Sequence, residues 1–153
     1  MGDPFHRHDH GACVAEALLA AESACAARGV ALTPLRRRTL EILLEGHAAL
    51  GAYEVLSRLS AEGLGSQPPV AYRALNFLVG QGLAHRLQGL QAFVACARPG
   101  APHAASFLVC RSCRTVLEAG APPAPPEAEA AGFAVETVVQ ESEGLCPACR
   151  GAP

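Results

Sequence analysis

The sequence predicts an α+β protein, an N-terminal winged helix-turn-helix domain followed by a small C-terminal α/β domain. Three observations carry this expectation. Amphipathic segments with short connections fill residues 14–80, and a hairpin pattern follows at 83–96. Two Cys-x-x-Cys pairs, Cys110/Cys113 and Cys146/Cys149, then bracket the C-terminal third.

Residues 1–12 are polar and His-rich and are expected to form a flexible tail. The winged domain is expected over 13–97. Its first helix, Val14 to Arg28, is rich in Ala and Leu and closes at Gly29. Thr33 is an N-cap with Pro34 in the first turn of a second helix, whose apolar face includes Leu40, Leu43 and Leu44. A third helix runs from Ala52 to Ala61, burying Val55, Leu56 and Leu59. Ser66, a possible cap, and the Pro68-Pro69 pair introduce a fourth, Val70 to Gly80. Beyond Gly82 the period changes, and residues 83–88 and 91–96 flank Gly89-Leu90 as a hairpin.

Residues 98–105, which contain Arg98-Pro99-Gly100-Ala101-Pro102, read as a hinge, and 106–153 as the second domain. There the expected elements are strands at Ser106–Cys110, Thr115–Glu118 and Phe133–Val139, with a short helix near Glu127–Ala131. The apolar anchors are few, too few for independent stability without a metal staple or a partner subunit. Both are expected, making this a zinc-stapled α/β dimerisation domain.

The staple is the cysteine quartet. Zinc takes four soft ligands at about 2.3 Å, and a two-residue spacer lets both sulfurs of a turn face one ion. A disulfide framework requires an oxidising compartment, and a thioredoxin-like motif would supply a single pair. No apolar run reaches the roughly 18 residues of a membrane span, and the first residues hold no apolar leader, so a cytoplasmic protein is expected. Net charge is only −2, but it is unevenly spread. Residues 28–97 hold seven arginines against four glutamates, and residues 98–153 four arginines against six. A basic half joined to an acidic half is compatible with one DNA-facing domain.

His85, Cys96, His103 and Glu118 form a second possible metal set. His85 and Cys96 lie near the base of opposite hairpin strands, and the other two come from beyond the hinge. A mixed N/S/N/O set suits tetrahedral zinc, and the thiolate disfavours hard cations. Spacing alone leaves open the alternative of packed core residues. His6, His8 and His10 read as an adventitious metal-binding tail, Cys13 and Cys25 as small buried apolar residues, and His47 as a complement to a helix dipole.

Leu32-Thr33-Pro34-Leu35-Arg36 looks like the LTPQR string of the Fur (ferric uptake regulator) family. Residues 68–78, PPVAYRALNFL, resemble its PPTVYRALDFL recognition helix. His85, Phe93-Val94-Ala95-Cys96, His103, Cys110-x2-Cys113, Glu118, Gly132-Phe133 and Gly144-Leu145-Cys146-x2-Cys149 follow in the order of the family's zinc uptake regulator (Zur) branch. The resemblance covers about residues 15–150. The HHDH-type cluster of iron-sensing members is replaced by Pro102-His103-Ala104-Ala105-Ser106. Leu35 replaces a family glutamine, Val70-Ala71 replaces Thr-Val, and the segment from Glu118 to Gly132 is short and proline-rich.

The resemblance implies a zinc-responsive repressor of zinc-uptake genes that binds an AT-rich inverted-repeat operator as a homodimer, with two zinc ions per subunit. It assigns Cys110, Cys113, Cys146 and Cys149 to a structural zinc, and His85, Cys96, His103 and Glu118 to a sensory one. It brings Tyr53 and Arg73 to DNA, a phosphate contact or solvated surface being the alternative for Arg73; Tyr72 and Arg36 are expected beside them, with packing in the helix bundle as the alternative for Tyr72. Of the neighbouring arginines, Arg36 to Arg38 are expected to contact phosphate or line a solvated face. No small-molecule substrate or enzymatic activity is expected, because both sets are saturated with protein ligands. An iron- or peroxide-responsive regulator of the same family is the alternative, followed by a zinc-ribbon interaction module.

Overall fold

The computed structural model describes residues 4–5, 9–99, 103–120, 122–136 and 138–151. Positions 100–102, the centre of the expected hinge, and His6 and His8 of the expected tail lie outside the described residues.

Caps set the helices. Asp9 accepts from the Ala12 N–H at 3.1 Å and starts α1 (His10–Ala27), so residues 10–12 belong to the helix rather than to a tail. An N-cap carboxylate satisfies an orphan N–H, a signal the apolar pattern does not carry. The Thr33 hydroxyl accepts from Arg36 N–H at the start of α2 (Pro34–Leu44). Before α3 (Ala52–Ala61), Glu54 folds back to accept from the Gly51 N–H at 2.7 Å. In α4 (Pro68–Gly80) both prolines lie inside the first turn; Gln67 holds the cap position without a side-chain bond, so Ser66 is not the cap. Gly82, with φ +70, lets Leu83 N–H reach back to Leu78 C=O at 2.8 Å, turning the chain into the hairpin.

Two sheets follow. β1 (Leu50–Gly51), β2 (Ala84–Leu87) and β3 (Ala92–Ala95) form an antiparallel wing in the order β1-β3-β2. The two-residue β1 was too short to show a period in the sequence. β4 (Ser106–Cys110), β5 (Val116–Ala119) and β6 (Gln140–Gly144) form the second sheet in the order β5-β4-β6, with β6 parallel to β4. Two short helices complete it, α5 (Pro126–Ala130) and α6 (Pro147–Arg150).

The third C-terminal strand departs from expectation. None of the described residues of 133–139 is in a strand, and Phe133 and Val139 are exposed. The strand is instead the polar stretch 140–144, which pairs Gly144 with Cys110 and takes the Arg111 N–H onto Gly144 C=O at 2.9 Å. Bringing Cys146 beside Cys110 fixes which residues can pair with β4, and that constraint overrides the apolar alternation upstream.

The first core lies among α1–α4 and one face of the wing, with Leu43, Val55, Leu59, Leu75, Leu78 and Phe93 at its centre. Cys25 is packed within it, and burial pushes its thiol up. The second core is shared: Ala49, Leu87, Ala92 and Val94 from the wing side pack against Ala105, Phe107, Val109 and Val116. β3 is thus buried on both faces, Phe93 and Ala95 toward the helices, Ala92 and Val94 toward the second sheet. Main-chain bonds from Ala49 N–H to Arg114 C=O and from Val116 N–H to His47 C=O stitch the same junction, at 3.2 and 2.7 Å. Among the described residues no helix is long and apolar enough to cross a membrane.

Leu75, fully buried where α4 meets its neighbours, gives a direct check of the first core. Leu75→Ala is expected to cost about 2–5 kcal/mol, read as a lowered midpoint in urea unfolding followed by circular dichroism.

Candidate metal centres

The four CxxC thiols converge. Cys110 ends β4, Cys113 lies in the turn that follows it, Cys146 is the N-cap residue of α6, and Cys149 lies within that helix. Their sulfurs lie within 4.8 Å of one another, and Cys113 Sγ is 3.7 Å from Cys146 Sγ. A disulfide would need about 2.05 Å. Tetrahedral zinc at ~2.3 Å to each sulfur implies about 3.8 Å between sulfurs, so the spacing fits an ion. Main-chain N–H groups of Cys113 and Cys146 aim at Cys110 and lower its thiol to about 6. The Ser112 hydroxyl also lowers Cys149, but the surrounding Cys146, Cys113 and Cys110 sulfurs outweigh it and push Cys149 up to about 11. Four sulfurs this close cannot all ionise without a cation between them. Thr115, whose hydroxyl is 3.1 Å from Cys113 Sγ, adds a polar contact that motif spacing does not reveal.

The second set is assembled by strand alternation. Period two puts His85 and Leu87 of β2 on the junction face of the wing, and likewise Ala92, Val94 and then Cys96 along β3. In the second sheet Glu118 pairs with Phe107, so both face the wing. His103 precedes β4 and comes in from the side. The four ligand atoms lie within 4.8 Å of one another. Cys96 Sγ is 3.6 Å from His103 Nε2, and His85 Nε2 is 3.4 Å from Glu118 Oε1. Tetrahedral zinc calls for about 3.6 Å between N and S ligands and about 3.4 Å between N and O. His103 Nε2 to Glu118 Oε1, at 2.6 Å, is a hydrogen bond that must open for an ion to enter.

His85 Nε2 gives the strongest sign of a ligand site. Among the described residues it is buried without a hydrogen-bond partner, the 3.4 Å approach to Glu118 having ion-pair distance but not hydrogen-bond alignment. A buried nitrogen left so is costly unless something else satisfies it. Burial alone would raise the Glu118 carboxyl, but His85, the Ala97 N–H at 2.7 Å and His103 together hold it at about 2. Burial, followed by the Glu118 charge, pushes Cys96 up to about 12, so an incoming metal must displace its proton. A thiolate, two imidazoles and one carboxylate suit a borderline-soft cation such as zinc.

The exposed face of α4 carries Tyr72, Arg73 and Asn76, and Tyr53 stands exposed at the start of α3. Asn76 is a polar group on that face which the motif match does not pick out; the helical period, three residues past Arg73, finds it. Arg36 is half-buried, its guanidinium 3.7 Å from the Phe77 ring centroid and donating to Ala31 C=O. Arg37 pairs with Glu22 and Glu41, and Arg38 with Glu41, Glu45 and Glu62, so these two arginines brace helices against one another. His10 packs edge-on against His47 at 5.0 Å.

No family model matches the chain. The sequence is 35% identical to the zinc uptake regulation protein of Escherichia coli (strain K12) over 139 residues, 88% of this chain and 81% of that protein. The solved structure of a zinc uptake regulator complexed with zinc and DNA superposes with a TM-score of 0.80 at 34% identity, covering 90% of this chain and 95% of that one. Holo XcZur gives 0.76 over 88% of this chain and 97% of that chain, at 34% identity. The apo form of XcZur, equally similar in sequence, gives only 0.51 over 90% and 98%.

Two substitutions separate the two clusters. Cys113→Ser is expected to release one metal equivalent and unfold the second sheet, read by metal analysis and circular dichroism. His103→Ala is expected to lose the other equivalent and keep the fold; full metal content in that variant would remove His103 from the set.

Proposed function

The chain belongs to the zinc uptake regulator branch of the Fur family, and on that premise we propose that it is a zinc-responsive transcriptional repressor of zinc-uptake genes, binding operator DNA as a zinc-loaded homodimer. The observation that carries this reading is the origin of the junction donors: His85 and Cys96 belong to the wing, His103 and Glu118 to the second lobe. In this reading residues 13–97 read DNA, 98–105 form the joint, and 106–153 dimerise.

Zinc at the junction supplies inner-sphere bonds that tie the wing to the second sheet. A ligand shifts a conformational balance only through different interactions with its two states. Turning a mostly incompetent dimer into a mostly competent one takes roughly 10⁴-fold preference, about 5.5 kcal/mol. Donors drawn from both lobes can provide that difference, because opening the joint separates them. The higher TM-score against the holo than the apo form of XcZur supports reading the present lobe arrangement as the competent one. Cys110, Cys113, Cys146 and Cys149 lie within one lobe and hold its knuckles in every state, giving two zinc ions per subunit.

Arg73 is the proposed base reader, since its guanidinium can pair bidentately with guanine O6 and N7 in a major groove. Tyr53 and Tyr72 flank it with exposed rings. Arg36, stacked on Phe77, holds the recognition helix in place and contacts DNA at its margin. A second copy of the chain covers the apolar side chains left exposed on the second lobe, among them Leu108, Phe133, Val139 and Leu145. Repression of this kind belongs in the cytoplasm and involves no small-molecule substrate and no catalysis. The soft Cys96 ligand favours zinc over the iron of the family's other sensors.

A mobility-shift titration with zinc against an uptake-gene promoter tests the reading: binding should appear with zinc and vanish with a chelator. Cys96→Ser should keep the dimer in sedimentation and lose the zinc dependence. Arg73→Ala should weaken specific binding by about 1–3 kcal/mol and leave zinc content unchanged.

A further inference from the structure

The lobes also meet away from the metal donors, at the wing tip. The Glu141 carboxylate, on β6, accepts the Gln88 N–H at 2.7 Å with Oε1 and the Gly89 N–H at 2.9 Å with Oε2. Two adjacent main-chain donors thus enter the two oxygens of one anion, a charge-assisted bidentate contact. Gly89 leaves room for this approach: a Cβ there would stand 2.9 Å from Glu141 Oε2, so the carboxylate end would have to shift away.

The geometry points to Glu141 as a positioning residue that clasps the wing tip while the junction donors hold the wing base. The inference rests on the repressor reading and deepens it, naming a second determinant of the lobe angle. His85 and Gln88 are three residues apart, so the two attachments are spaced along one strand edge by about 10 Å. One attachment point leaves a hairpin free to swing about it; two fix its direction. A physical link joins them as well. Glu141 pairs with Phe107 across β4 and β6, and the Phe107 ring packs against the His85 ring at 5.0 Å. Glu141 therefore preorganises the wing so that less of the zinc binding energy goes into orienting it. By linkage, whatever the clasp contributes to the closed arrangement must appear in junction zinc affinity and in operator affinity alike.

The test uses the full-length protein in three variants: Glu141→Gln, Gly89→Ala and the double mutant. Glutamine offers one acceptor and turns an N–H toward an N–H; alanine at 89 keeps every charge and displaces the carboxylate from the wing side. Zinc affinity of the junction site is measured without DNA by competition with a chromophoric chelator, alongside zinc content, thermal unfolding and operator affinity at saturating zinc. The expected result is two zinc ions per chain and a metal-loaded unfolding midpoint lowered by no more than a few degrees, as a weaker zinc site itself requires. Junction zinc affinity should fall roughly five- to tenfold in each single variant, and the double mutant should lose no more than the worse single one. Unchanged zinc affinity in Glu141→Gln would overturn the clasp, and so would losses that simply add in the double mutant. The zinc measurement needs no DNA, so a wild-type protein that never binds an operator would sink the repressor reading while leaving the clasp to be judged by its own result.

Discussion

The second lobe cannot bury its apolar face by itself, and the rest of the structure follows from how it solves that problem. Phe107, Val109 and Val116 cover one side of a three-stranded sheet, and among the described residues no helix of its own lobe contributes to the cluster they form. They are buried instead against Leu87, Ala92 and Val94 on the back of the wing. The wing thereby becomes a layer between two cores, and β3 is apolar on both faces because both faces are interior. Changing the angle between the two lobes would expose part of this shared core.

The polar groups at the edge of that core are placed by the same alternation that places the apolar ones. Once Phe107 faces the wing, Glu118 opposite it must as well, and once Val94 faces the second sheet, Cys96 follows. Burial then makes the donors demanding. The imidazoles and the Glu118 carboxylate support one another, but burial and that charge hold Cys96 as the thiol, and His85 Nε2 has no aligned hydrogen bond among the described residues; a cation would satisfy both. The cysteine quartet has the same electrostatic logic with a different consequence. All four sulfurs belong to one lobe, so an ion there would close a knuckle, whereas the junction donors come from both lobes and an ion there would, in the proposed reading, report on their arrangement.

Much of this was legible in the sequence, for identifiable reasons. Caps and left-handed glycines punctuate α2 to α4, the hairpin has a clean change of period, and paired CxxC spacing is chemically specific. The strand at 140–144 was not legible, because its register is set by where Cys146 must sit and its own residues are polar. The start of α1 was misplaced because Asp9, one capping carboxylate, decides it. Glu141 was invisible for a more general reason: a carboxylate meeting main-chain N–H groups across a fold leaves no pattern in either segment. For Arg37 and Arg38 the sequence leaves two readings, a phosphate contact or a solvated face. In the structure glutamates from the same and neighbouring helices pair with both guanidiniums, a contact that spacing does not reveal.

Zinc content per chain, followed together with operator binding through mild chelation and readdition, tests most directly whether a bridging ion governs the lobe angle. Two ions are expected at the start. One should leave readily, abolishing operator binding while the second-lobe fold and the dimer persist, and its return should restore binding. Operator binding that survives departure of the labile ion would contradict a sensor at the junction.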